Sequence, residues 1–127
     1  MKNNVMVTVA SLLSLLFMTF HLTDDALRQR EGSVRVLGTV LIFVVWLCGT
    51  LLVSHRPWAY VITLLGGLFA AAMIVVHSPG GAVNKSGGFF FIWTMFMLSI
   101  TGWLSVILSA RGLWIALRAR RRPVPDS

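Results

Sequence analysis

The chain has 127 residues, of which 57% are hydrophobic and only 15 are acidic or basic (11 Lys and Arg, 4 Asp and Glu), with a net charge of +7. A soluble domain carries about a quarter of its residues as charges, so this composition points to a membrane protein. With almost no chain left between apolar stretches, a folded catalytic domain is not expected, which speaks against a kinase, a Rossmann enzyme or a receptor with a folded ectodomain. The leaning is towards a protein that is not an enzyme.

In chain order, four apolar stretches occupy 5–22, 36–54, 58–77 and 89–110. Each is near the roughly 20 residues a helix needs to cross a hydrocarbon core about 30 Å thick. The expected fold is an all-α membrane protein, an antiparallel four-transmembrane-helix bundle forming one unit over 1–127. The first stretch, preceded by Lys2, also fits a secretory signal peptide. Its exit, Thr19-Phe20-His21-Leu22-Thr23, lacks the small-x-small pattern of a cleavage site, so it reads as a retained helix.

Faces follow from the 100° step of a helix. Ser11, Ser14, Met18, His21 and Asp25 share a stripe in the first span, and Thr63, Gly66, Ala70, Met73 and His77 share one in the third. The second offers Thr39, Trp46, Gly49 and Thr50, and the fourth Thr94, Thr101, Gly102 and Ser105. Small and hydroxylated residues suit helix contacts in lipid, so these stripes are expected to face other helices. The pairs Gly66 with Ala70 and Gly67 with Ala71 have the small-x-x-x-small spacing. Cys48, alone in the chain and without a neighbouring cation, reads as a small packing residue.

No Asp, Glu, Lys or Arg lies in the middle of any span, so the midplane charge of a proton-coupled transporter is missing. Ionisable residues instead gather after the first span, in His21 to Glu31. One reading extends the first helix, so that His21 and Asp25, four apart, join His77 from the third span in a divalent-metal site for Zn²⁺, Fe²⁺ or Mn²⁺, with Asp24 as a further ligand. The two histidines could instead hold a haem. The competing and favoured reading is a short outer interfacial helix: Thr23 as N-cap, Asp24 and Asp25 in the first turn, Arg28 and Arg30 in the last, and Gly32 as the stop. The glycine-rich segment 78–88 reads as a linker, and Phe89, Phe90, Phe91 and Trp93 as residues facing lipid and neighbours at the outer interface.

After the fourth span the helix is expected to continue through 111–117, followed by Arg118, Arg120, Arg121 and Arg122 and stopped by Pro123. These arginines read as an orientation signal and a lipid-facing anchor for anionic headgroups, not as a nucleic-acid surface. With four spans, seven basic residues fall on the side of the termini (Lys2, Arg56, Arg111 and the four tail arginines) against Arg28, Arg30, Arg35 and Lys85. That asymmetry places both termini in the cytoplasm.

The segment His21-Leu22-Thr23-Asp24-Asp25 at the end of a first span, with three further spans in so short a chain, resembles small uncharacterised bacterial four-helix inner-membrane proteins. The resemblance implies a bacterial inner membrane and no mechanism. The function expected is a self-associating or accessory subunit, as a homo-oligomer or within a larger membrane complex. A metal or haem protein, or a passive solute channel lined by Ser11, Ser14, Thr63, Thr94, Thr101 and Ser105, are the alternatives.

Overall fold

A computed structural model describes residues 2–29, 33–53, 56–77 and 88–120. Within them the secondary structure is helical: α1 (Lys2–Gln29), α2 (Ser33–Leu52), α3 (Pro57–His77) and α4 (Gly88–Arg120). Three segments, Lys2–Asp24, Pro57–Val75 and Gly88–Arg120, are long and apolar enough to cross a membrane, and α2 contributes the shorter apolar run Leu37–Leu52. Such a chain is compatible with a multi-pass membrane protein. In hydrocarbon the helix satisfies each backbone N–H and C=O internally, which is why uninterrupted apolar sequence takes this form.

Helix boundaries follow local chemistry. Pro57 opens α3, where its missing N–H would have had no partner in the first turn. Just before it, Arg56 donates its N–H to the Leu52 carbonyl and accepts one from Ala59, so α2 and α3 meet in a hydrogen-bonded corner. Gly88 opens α4 at φ +62°, a conformation that L side chains rarely adopt. At its far end α4 runs 33 residues, about 50 Å, some 20 Å more than a hydrocarbon core requires. The continuation of the last helix through 111–117 is thus present, and it reaches Arg120.

The segment after the first span differs from the favoured expectation. No new helix begins at Thr23. α1 runs unbroken to Gln29, and the Thr23 hydroxyl donates back to the Thr19 carbonyl at 2.8 Å, as a threonine does inside a helix. Over 23–29 the cap-like composition loses to the continuing backbone ladder, while Arg30 and Gly32 lie outside the described residues.

Packing uses one repeating spacing. Buried or half-buried positions run 4, 7, 11, 14, 18, 21 in α1, 39, 43, 46, 50 in α2, continuing to Val53 just past its end, 59, 63, 66, 70, 73 in α3 and 91, 94, 98, 101, 105, 109, 112 in α4. Steps of three and four keep one seam of each helix turned to its neighbours. α3 and α4 make the closest approach. A Cβ on Gly102 would stand 2.7 Å from the Ala71 amide nitrogen and 2.8 Å from the Gly67 carbonyl oxygen, so the two backbones touch. The small-x-x-x-small pair at Gly67 and Ala71 is what admits this contact.

Two apolar clusters hold the remaining interior. Leu15, Met18, Trp46, Ala70, Met73 and Leu98 draw on all four helices. Val7, Val53, Ala59 and Tyr60, with Leu108 and Leu113 against them, close the end where α1 begins. Conversely, Cys48 is exposed on the outward side of α2, so it is not the packing residue expected. Among the aromatic run, Phe89, Phe90 and Trp93 face outward, but Phe91 is completely buried.

Candidate functional site

Three polar features run along the seams between helices, and each is built by hydroxyl or amide groups that the apolar sequence around them forces to find partners. In the first, the Trp46 indole N–H of α2 donates to the Ser11 hydroxyl of α1 at 2.8 Å. Ser11 also pairs with the Thr50 hydroxyl at 2.7 Å, and Thr50 reaches back to the Trp46 carbonyl at 2.9 Å. Gly66 of α3 lies beneath the Trp46 indole, where a Cβ would collide with the ring. A tryptophan, a serine, a threonine and a glycine thereby fix three helices in register.

The second feature joins α3 to α4. Thr63 and Ser109 exchange a hydroxyl hydrogen bond of 2.9 Å, and the Ser105 hydroxyl donates to the Thr63 carbonyl at 3.4 Å. The other hydroxyls of the proposed solute path act locally: Ser14 donates to the Ala10 carbonyl, Thr94 to Phe91, and Thr101 to Met97 and Leu98. Ser11, Ser14, Thr63, Thr94, Thr101 and Ser105 are all buried and all bonded within the protein. A cavity of about 40 Å³ between α1, α2 and α3 is bordered by Met18, Phe43, Trp46 and Phe69, and its wall is almost wholly apolar.

The third feature is a clamp at the end where α1 and α3 start. The Tyr60 hydroxyl of α3 donates to Asn4 Oδ1 of α1. The neighbouring Asn3 amide donates to the Leu108 carbonyl of α4 at 3.4 Å. The Tyr60 ring rests on Gly112 of α4, where a Cβ would overlap it. Among the described residues, this end carries Lys2, Arg56, Arg111, Arg118 and Arg120, all exposed, and no carboxylate. Arg118 lies over the Trp114 ring, 5.2 Å from its centroid, a cation–π arrangement that holds the guanidinium close to the helix.

At the opposite end, His21 is 1% exposed and lies against Phe91 of α4, with ring centroids 4.7 Å apart. Phe17 packs edge-on to Trp93 nearby, at 5.5 Å. Asp24 is half-buried one turn further along α1. The side chains of Asp25 and His77 lie outside the described residues, as do Arg121 and Arg122. Among the described residues no three His, Cys, Asp or Glu side chains group to hold a metal ion.

For the described side chains the sequence placed the inward stripes correctly, with Asp25 and His77 outside them, but it missed the clamp. Asn3, Asn4, Tyr60, Ser109 and Gly112 are the residues it overlooked. The signal was available for three of them: Asn4 continues the spacing of Val7, Ser11, Ser14, Met18 and His21 by one more step, and Ser109 and Gly112 continue that of Thr94, Thr101 and Ser105.

Among the described residues, the fold and its seams are those of a helical protein with three helices of membrane-crossing length. Comparison with protein families, with curated proteins and with solved structures finds no match to the chain.

Proposed function

We propose that the chain is a small bacterial inner-membrane protein that crosses the bilayer four times as an antiparallel bundle, with both termini in the cytoplasm, and that serves as a self-associating or accessory subunit of a membrane assembly. The observation that carries the functional part is the commitment of the interior polar groups. Each hydroxyl that could line a solute path is bonded to a neighbouring helix or to its own backbone, which favours a packed scaffold over a conduit. What remains for interaction is the outward apolar surface and the basic end.

Support for the fourth crossing comes from α2 itself. At 20 residues its full length reaches about 30 Å. Phe43 borders the same cavity as Met18 and Leu22 of α1, Thr50 bonds Ser11, and Val53 shares a cluster with Val7. These pairings support a course of α2 along α1 in the opposite direction. The seven-to-four distribution of basic residues supports the cytoplasmic placement of the ends.

Native mass measurement in mild detergent tests the functional reading. The expected species are multiples of the 14.0 kDa chain or the chain with a second polypeptide. A bare monomer with nothing co-purifying would contradict it.

The second reading is a metal or haem site at the outer end, using His21, Asp25 and His77 with Asp24. The observation favouring it is a histidine fully buried on a seam, on a helix whose unbroken backbone sets Asp25 one turn on from it. Elemental analysis and an absorption spectrum of protein prepared without chelator decide the matter. Stoichiometric metal or a Soret band, lost in both His21→Ala and His77→Ala, is the result this reading requires.

A further inference from the structure

We propose that the end of the structure where α1 and α3 begin holds one anionic phospholipid headgroup, its phosphate bound by Lys2, Arg56 and Arg111 over a floor made by Asn3, Asn4 and Tyr60. The leaflet in which the lipid would sit rests on the orientation proposed above; the site itself does not.

Lys2 belongs to α1, Arg111 to α4 and Arg56 to the corner between α2 and α3, and the clamp ties these three places together. Tyr60 binds Asn4 by its hydroxyl and rests its ring on Gly112, and Asn3 reaches the Leu108 carbonyl. Lys2 directly precedes Asn3, Arg111 directly precedes Gly112, and Arg56 lies one turn before Tyr60. All three side chains are exposed. The clamp thus brings three cation-bearing backbone positions to one end of the structure, the arrangement a discrete phosphate site needs, whereas a basic tail attracts anions diffusely. The positive ends of α1 and α3 lie here beside the negative end of α2, which leaves one positive helix end in excess among these three.

The surroundings select an amphiphile. Below the cations the outward surface turns apolar at once, with Val5, Met6 and Val61 exposed, a surface that takes acyl chains. Trp58 and Trp114, 48% and 62% exposed, flank the cations, and indole rings favour headgroup depth. A phosphate diester with two acyl chains matches both halves of this surface. Arg118 and Arg120 lie six and eight residues beyond Gly112 along α4, about 9 and 12 Å further out, so they contribute to the general field and not to the phosphate contact.

The test uses the full chain in an uncharged detergent, with the rise in Tm on adding short-chain phosphatidylglycerol as the measure of affinity. Short-chain phosphatidylcholine and inorganic phosphate are the controls. Phosphatidylglycerol is expected to stabilise the wild type at concentrations where neither control does. Arg56→Gln and Arg111→Gln each weaken binding about fivefold, and the triple variant with Lys2→Gln roughly a hundredfold, while Arg118→Gln with Arg120→Gln leaves it within about twofold. The single variants keep the test valid should the triple variant fail to fold. Equal affinity in wild type and both single variants, greater loss in the Arg118/Arg120 pair, or stabilisation by phosphatidylcholine or inorganic phosphate alone would overturn the proposal. Because the assay has no sidedness, an extracellular C terminus would refute the orientation and leave this result standing.

Discussion

At the residue scale, the Trp46 node concentrates the specificity of the interior. An indole N–H is a donor only, so within hydrocarbon it requires an acceptor, and Ser11 supplies it while retaining Thr50 as a second partner. A double-mutant cycle of Trp46→Phe with Ser11→Ala is expected to give a coupling of about 0.6 to 1.7 kcal/mol, the range of hydrogen bonds between membrane helices. Additive effects in denaturant unfolding would show that the bond contributes nothing. Gly102 is the other sensitive position. Its Cβ-free surface meets backbone atoms of α3, which cannot rotate away, so Gly102→Ala should cost about 1–3 kcal/mol. The same change at Gly38, where nothing lies within 4 Å, should be neutral or slightly stabilising in the same assay. Sequence alone marked Trp46, Thr50, Gly66 and Gly102 as inward-facing because their spacing is helical. It could not pair Trp46 with Ser11, since that requires knowing which helices are neighbours.

At the scale of elements, the register of α3 against α4 is set by Thr63 and Ser109 together with the Gly67–Gly102 contact. Replacing Thr63 and Ser109 by cysteine in a Cys48→Ser background is expected to give a pair that one mercury ion bridges within the monomer. Bridging of Thr63→Cys to a cysteine at Leu104, which faces outward, is expected to fail; the reverse pattern would refute the register. Ser109 escaped the sequence reading because it lies at the edge of the apolar run, close to Arg111, where membrane and water could not be separated. The first helix offers the clearest disagreement between local signal and outcome. Residues 23–32 carry every mark of a separate capped helix, yet α1 continues to Gln29. Composition at a cap is a local preference of about 1 kcal/mol, less than the ladder that would be interrupted. Asp24→Pro discriminates the two: at the first position of a new helix proline is favoured, but inside α1 it should cost about 3 kcal/mol. An unchanged Tm in Asp24→Pro would restore the break at Thr23.

At the scale of the whole molecule, charge and packing assign different tasks to the two ends. One end is basic and clamped by Tyr60 and the two asparagines; the other places a buried histidine beside an aromatic cluster. The helical fold, the inward faces and the long last helix were legible in the sequence, because apolar length and a three-four spacing are local properties. The clamp and the nodes were not, since they depend on contacts between residues as far apart as Asn3 and Leu108. The four-span reading and the subunit role proposed with it then depend on α2, whose apolar run, Leu37–Leu52, is shorter than an ordinary span. The direct measurement is therefore a set of dual-reporter fusions placed after residues 31, 55, 83 and 127 in a bacterial host. Four crossings with cytoplasmic ends predict outside, inside, outside and inside in that order. A fusion after residue 55 that reports the same side as the one after residue 31 would mean that α2 does not cross, and would contradict the four-span bundle and the role built on it.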